Sequence, residues 1–460
     1  MVTPARKRLI LNGFVMPTVG HLSPGLWRHP DDEAHRYLKL SYWTDLARLL
    51  ESGGFDALFI ADVLGPIEVY QGSHDSALRN ATQMPVNDPI LAVSAMAAVT
   101  EHLGFGVTAS TSYTQPYLLA RSFSTLDHLT DGRIAWNVVT SMVDSAARNL
   151  GLDKQFDHDD RYDRAQEFLD VTYQLWEGSW EDDAVVRDQA AGVYTNPAKV
   201  HSIGHVGSYY RVPGPHLCEP SPQRTPVIFQ AGASARGREF AARNAELVFL
   251  GGRDAAEIGR SVAAVKDLAA KFGRNPDAIK FVTSVTVVTA ADERSAAAKY
   301  RDYQSHGSIE GALTLFSAFT GIDWSQHDLG EIITQHDTNA SQSTLATGQG
   351  RTLREVAESM TLGGLHPTIV GSPQQVADQL ESLADEADLD GFNIAYAVSP
   401  GSFADFITYI VPELRSRGRL DRSYRPGTLR EKLSDNGTAR LAADHPAARY
   451  RTELPIAAQQ

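Results

Sequence analysis

The chain has 460 residues, a formal net charge of −14, 42% hydrophobic and 21% charged residues, a composition that supports a sizeable core and excludes a disordered acidic chain. The negative charge is spread along the sequence without a basic run, which argues against nucleic acid and against an acidic membrane surface as partners. The single cysteine, Cys218, excludes an internal disulfide and a cysteine-based metal site and fits a reducing cytoplasm. No stretch approaches the roughly 18 consecutive apolar residues of a membrane span.

Basic residues precede an apolar run in "MVTPARKRLILNGFVM". The run is short, is interrupted by Asn12 and Gly13, and reads as a first strand rather than a signal peptide. Strand-like runs then alternate with helix-length amphipathic segments: 57–62, 104–111, 133–141, 226–232, 247–252, 279–290 and 391–398 follow the first at 8–16. Near-continuous Val, Ile and Phe runs joined by helices call for a parallel sheet covered on its outer face. Eight such units imply a closed (β/α)8 TIM barrel, of class α/β, with its active site at the C-terminal ends of the strands. The expected organisation is a barrel over 1–418, with long insertions at 142–225 after strand four and at 307–371 after strand seven, and a polar C-terminal extension over 419–460. The first insertion is expected to hold a helix from Tyr162 and a hairpin between 199 and 216. The second is a candidate lid, and the extension is expected to wrap the barrel or a partner subunit.

Several strand ends finish in small polar groups: Asp62, Ser110 with Thr111, Asn137 with Thr140 and Ser141, and Gln230 with Ser234. "FQAGASARGREF" leads from a strand through Gly232 into a helix, a geometry suited to an anion, although such turns are often only caps. His158, Arg161 and Tyr162 stand just ahead of an amphipathic helix, with Asp159 or Asp160 as its expected cap. His201 and His205 have the spacing of half a metal site without accompanying ligands, and no metal is expected. GxSxG, GxGxxG and P-loop motifs are absent, which disfavours a serine nucleophile, a Rossmann site and a nucleotide phosphate loop.

The segments "NGFVMPTVGHLSPGLWRHP", "FDALFIADVLG", "STLDHLTDGRIAWNVVTS", "HDDRYDRAQEFLDV" and "PSPQRTPVIFQAGASARGREFAA" resemble the bacterial-luciferase-like flavin monooxygenases. Within them, the likeness is to the branch of nitrilotriacetate, dibenzothiophene-sulfone, long-chain-alkane and dimethyl-sulfide monooxygenases, over nearly the whole chain. The resemblance implies FMN as a diffusible reduced cosubstrate from a separate NADH-dependent flavin reductase. It further implies oxygen activation at the flavin C4a carbon, transfer of one oxygen atom to the substrate, and a cytoplasmic homodimer or homotetramer.

By the same resemblance, Asp62, Ser110, Asn137, Thr140 and Ser141 hold the isoalloxazine edge, Tyr162 and Ser234 the phosphate with His158 nearby, and His21 and Gln83 are the catalytic pair. Departures from the alkane-oxidising pattern at Thr18, Ile67, Met142 and Leu315, and from the sulfone pattern at Phe319, imply with Phe14 an apolar pocket. Such a pocket suits a small neutral organosulfur or halogenated aromatic substrate. A long-chain alkane oxygenase, an enzyme using the deazaflavin F420 and a non-catalytic flavin-binding barrel are the alternatives.

Overall fold

In the computed structural model, residues 7–451 are described, apart from 142, 233, 253, 335–344, 346–347 and 435–436. Eight parallel strands form the barrel: β1 (Ile10–Val15), β2 (Ala57–Ile60), β3 (Gly104–Ser110), β4 (Ile134–Val139), β5 (Val227–Ala231), β6 (Leu247–Leu250), β7 (Lys280–Thr289) and β8 (Gly391–Ala395). Each pairs with the next in chain order, and β8 closes on β1 with Ile10 opposite Gly391 and Phe14 opposite Ala395. The expected (β/α)8 barrel is therefore the observed fold, with every strand lying inside an apolar run of the sequence.

Burial explains why these runs are apolar throughout. Strands β1, β2 and β7 are buried almost without interruption, because one face fills the barrel and the other meets helices such as α1 (Leu40–Gly53) and α2 (Pro116–Leu129). Inside, Phe14, Phe59, Phe229 and Phe249 form a plug, with centroid separations of 5.3 Å for Phe14 and Phe59, 5.8 Å for Phe59 and Phe229, and 5.4 Å for Phe14 and Phe249. A side chain at position 106 of β3 would meet the Phe229 ring at 2.7 Å, so Gly106 is what makes room for this plug. Phe14 and Phe249 are the floor of the cavity above it.

The N-terminal end of the barrel is stoppered by the C-terminal extension. Leu429 and Leu433, on the short helix Leu429–Leu433, cluster with Ile10, Ala135, Val227 and Leu247. Between them Arg430 is buried, donating to both Glu246 carboxylate oxygens at 2.7 and 3.0 Å and to the carbonyls of Gln223, Thr225 and Ala439. Glu177, also buried, accepts from Arg440 and Arg451 and so fixes the rest of the extension to the first insertion. The described part of the extension thus packs on the barrel.

In the first insertion, α3 spans His158–Tyr173, and the short pairs Val185–Asp188 with Val193–Thr195 and His205–Val206 with Arg211–Val212 form two hairpins. The helix starts earlier than expected, so His158, Arg161 and Tyr162 lie within its first turns and its cap position is Asp157. Asp159 and Asp160 are therefore helical residues. After β5 comes α4 (Ala235–Asn244), and after β6 comes α5 (Ala255–Lys271).

The second insertion contributes α6 (Ile309–Thr320) and α7 (Leu353–Met360). It also has an unexpected strand, Thr368–Gly371, on the C-terminal end of β7. Part of the candidate lid, 335–344 and 346–347, lies outside the described residues. Among the described residues, no helix is long and apolar enough to cross a membrane.

Candidate active site

A cavity of about 970 Å³ opens at the C-terminal ends of the strands. Its walls come from the β1, β2 and β4 loops, the starts of α3 and α4, the end of α6 and the segment before Thr368. It lies at the large end of the range for small-molecule sites.

One half of the cavity is polar. Ser110 and Ser141 share a hydrogen bond of 2.7 Å between their hydroxyls, linking β3 to the loop after β4, and Arg161 donates to the Ser141 carbonyl at 2.6 Å. Ser141 has a left-handed backbone, φ 54°, which a non-glycine residue adopts at a cost. The Tyr162 hydroxyl lies beside Ser234 and Thr140, where α3, the β4 loop and the start of α4 meet. Ser234 caps α4 by accepting from the Gly237 amide at 3.0 Å. A side chain at Gly232 would run into Gln230 at 2.4 Å and Gly237 at 3.3 Å. His158 lies edge-on to Tyr162 at 5.2 Å and holds Asp159 at 3.0 Å. Asp62 accepts from the Val63 amide at 2.9 Å, yet burial pushes its carboxyl up to about 6.

Two buried acceptors in this region have no protein partner: Gln230 Oε1, on the cavity wall, and Asn137 Oδ1. Asn137 itself is behind the wall, donating to Thr108 Oγ1 at 2.8 Å. It is thus the one member of the expected flavin-binding set that does not line the cavity.

The other half is apolar, with Phe14, Ile67, Phe249, Ala318, Phe319 and Leu365 on its walls. His21 enters here, 3% exposed, edge-on to Phe14 at 4.6 Å and with Nδ1 unpartnered. Burial, with a further contribution from nearby His366, pushes the His21 imidazolium down to about 3, so the ring is neutral at pH 7. Gln83 lines the cavity at φ 50° and donates from Nε2 to the His21 carbonyl at 3.0 Å, acting on the loop that carries the imidazole.

Two expected pocket residues fall elsewhere. Thr18 is buried, its backbone bridged to Val86, and does not line the cavity. Leu315 sits one helical turn before Phe319, in a core with Phe316, Trp324 and Met360. Met142 lies outside the described residues. The half metal site also separates: His201 bonds Glu181 at 2.9 Å, whereas His205 bonds Glu167 at 3.2 Å. A second cluster, His29, Asp302 and His306, reads as a hydrogen-bonded trio. His29 Nδ1 accepts from the Asp31 amide, which leaves the ring proton on Nε2, facing Asp302 at 3.0 Å.

Sequence reasoning missed His366 and Phe249. His366 lies in an aperiodic loop before a proline, and Phe249 carries no chemical signature beyond its strand.

The parallel barrel thus carries at its C-terminal mouth, where barrels of this kind build their active sites, a cavity lined by a hydroxyl-rich cluster and by apolar side chains. The luciferase-like monooxygenase family matches residues 21–388, and the chain belongs to that family. It is a family of two-component flavin-dependent monooxygenases.

Dimethyl-sulfide monooxygenase of Hyphomicrobium sulfonivorans is 53% identical over 97% of this chain and 94% of its own length, and a crystal structure of that enzyme superposes with a TM-score of 0.92. Long-chain alkane monooxygenase of Geobacillus thermodenitrificans is 51% identical over 97% of this chain and 98% of its own. A riboflavin lyase, solved with a modified FMN and riboflavin, is 38% identical, with a TM-score of 0.93 over 97% of this chain and 100% of that one.

Proposed function

We propose that this chain is the oxygenating component of a two-component monooxygenase that takes reduced FMN from a separate NADH-dependent reductase and oxygenates a small neutral organosulfur compound. The observation that carries the reading is the division of one cavity into a hydroxyl-rich half and an apolar half. Unpaired Gln230 Oε1, the side-chain-free approach at Gly232 and the capped start of α4 fit a ring system with a phosphate tail. When bound, reduced FMN supplies the electrons that let dioxygen deliver one oxygen atom to the substrate.

Ser110, Thr140 and Ser141, with Asp62 after the neighbouring strand β2, would hold the polar ring edge. Tyr162, Ser234 and His158 would hold the phosphate at the α4 N-terminus, with Arg236, paired to Asp163 and Glu239, on the same rim. Asn137 supports this wall from behind through Thr108. Phe14, Ile67, Phe249 and Phe319 exclude water from the reacting side and accept an apolar substrate. His21, neutral and desolvated, orients oxygen or substrate by hydrogen bonding, and Gln83 positions it.

Ile67 and Phe319 leave this chamber without the polar side chains of the alkane-oxidising and sulfone patterns, which favours a soft sulfide over an alkane. The 53% identical dimethyl-sulfide enzyme supports the same choice. Fluorescence titration with FMN, followed by turnover of dialkyl sulfides with an NADH:FMN reductase, tests the reading. Saturable FMN binding and sulfide-dependent product formation support it, and failure to bind FMN in either redox state contradicts it.

A further inference from the structure

Two imidazoles meet the apolar half of the cavity. His21 comes from the loop after β1, and His366 from the loop before Thr368–Gly371. An unbroken series of rings separates them: His21 contacts Phe14 at 4.6 Å, Phe14 contacts Phe249 at 5.4 Å, and Phe249 contacts His366 at 5.6 Å.

The His366 loop is held firmly. The Gly363 amide donates to Ser23 Oγ at 3.1 Å, two residues from His21, and Thr368 Oγ1 donates to the Leu362 carbonyl at 3.0 Å. Gly363 and Gly364 turn the chain through left-handed conformations, φ 84° and 66°, and a side chain at 363 would strike Thr286 at 2.5 Å. The second insertion therefore delivers one imidazole into the barrel mouth and fastens it to the loop that delivers the other.

Neither ring forms a hydrogen bond to protein among the described residues, and His21 Nδ1 is fully enclosed. Desolvation keeps both rings neutral, His21 being buried and His366 partly open to the cavity with its imidazolium pushed down to about 4. A neutral imidazole has one N–H donor and one bare nitrogen. In an apolar wall it suits a molecule with an apolar body and a single uncharged acceptor, and it gives a carboxylate no ionic partner.

We propose that His366 is a specificity-determining residue that donates a hydrogen bond to an uncharged oxygen acceptor, so that the chamber favours an organosulfur compound bearing a sulfinyl-type oxygen over the bare sulfide, with His21 flanking the same chamber. The inference rests on the reading that this cavity takes organosulfur substrates beside FMN. It gives the second insertion a chemical role in substrate choice.

The test is equilibrium binding of methyl phenyl sulfoxide and methyl phenyl sulfide, which differ by one acceptor oxygen, measured by calorimetry with oxidised FMN present. His366→Phe keeps a flat ring without the donor, and His366→Asn keeps a donor. Loss of one neutral hydrogen bond predicts that His366→Phe weakens sulfoxide binding about fivefold while sulfide binding stays within about twofold, and that His366→Asn restores part of the loss. Equal effects on both probes, or no sulfoxide binding by the unaltered protein, overturn the proposal. FMN titration of the same proteins separates the two levels: normal FMN binding with no sulfoxide effect removes only the role of His366, whereas absent FMN binding by the unaltered protein removes the parent reading.

Discussion

Ser110 and Ser141 share a 2.7 Å hydrogen bond across the mouth of the barrel, between the end of β3 and a residue held at φ 54°. The pair presents two hydroxyls to the cavity from a backbone that the neighbouring strands over-determine. Ser110→Ala removes one hydroxyl without disturbing packing. It is expected to weaken FMN binding by about fivefold, the loss of a single hydrogen bond to the ligand, and to lower the melting temperature slightly, because Ser110 Oγ also accepts from the Ser112 amide at 3.1 Å. Unchanged FMN affinity in a fluorescence titration would remove Ser110 from the flavin site.

Ser234 offers a sharper discrimination, because aspartate is as good a helix cap as serine. Ser234→Asp therefore preserves the start of α4 while placing a negative charge among Tyr162, Thr140 and Gly237. FMN binding should fall more than about tenfold by charge repulsion, with riboflavin, which lacks the phosphate, little affected. Equal loss of both ligands would point to local damage rather than a phosphate position.

The chamber around Phe319 makes a prediction in the opposite direction. Introducing an imidazole by Phe319→His removes part of an apolar wall shared with Ile67 and Ala318. Turnover of the best sulfide should fall or stay level, with KM rising. A clear gain in kcat/KM would show that the chamber needs another polar group.

Much of this arrangement is legible in the sequence, for identifiable reasons. All eight barrel strands lie within apolar runs because a parallel strand buried on both faces has no polar alternation to obscure it. The small polar residues at Ser110, Thr140, Ser141 and Ser234 stand out because they interrupt those runs at one end. Side-chain phase within the second insertion is less legible. Leu315 and Phe319 lie one turn apart on α6 and both pack in the insertion's own core, and only the tertiary packing shows that Phe319 also reaches the cavity. Thr18 misses the cavity wall because its loop bridges to Val86, and Asn137, within β4, because it sits behind Thr108, neither of which residue type encodes. His366 depends on two consecutive left-handed glycines and a Ser23 contact from the other end of the chain, so no local pattern announces it.

The C-terminal stopper yields a stability prediction. Arg430 and Glu246 form a buried pair whose remaining donors are all satisfied by carbonyls. Arg430→Met leaves Glu246 as an uncompensated charge at the barrel base and should destabilise the protein by about 3–5 kcal/mol. A denaturation midpoint equal to that of the unaltered protein would mean that the extension adds nothing to barrel stability.

Four histidines set the acid limit. His21 is held down to about 3, and His216, His366 and His445 to about 4, desolvation being the main cause in each case, against an ordinary value of 6.5. Because each folded value lies below the unfolded one, the unfolded chain binds more protons between pH 6.5 and about 4. This contribution to stability is full above 6.5 and is lost as pH falls, each histidine adding a slope of about 1.4 kcal/mol per pH unit. Urea midpoints should therefore drop steeply from pH 6.5 to 4.5, and replacing His445 with Gln should flatten the drop. Asp32 and Asp62, raised by burial to about 6, act in the opposite sense and offset part of the drop, so a flat profile that His445→Gln leaves unchanged would mean that these rings are protonated in the folded protein.

The most direct test of the central claim is turnover under ¹⁸O₂ with FMN, NADH and a flavin reductase, offering dialkyl sulfides, chlorinated aromatics and alkanes in parallel. One labelled oxygen atom in the sulfide-derived product, with none in the alkane, is the result expected from an apolar chamber beside a flavin cradle. Flavin-dependent NADH consumption with no label in any organosulfur product, or label in alkanol alone, would contradict it.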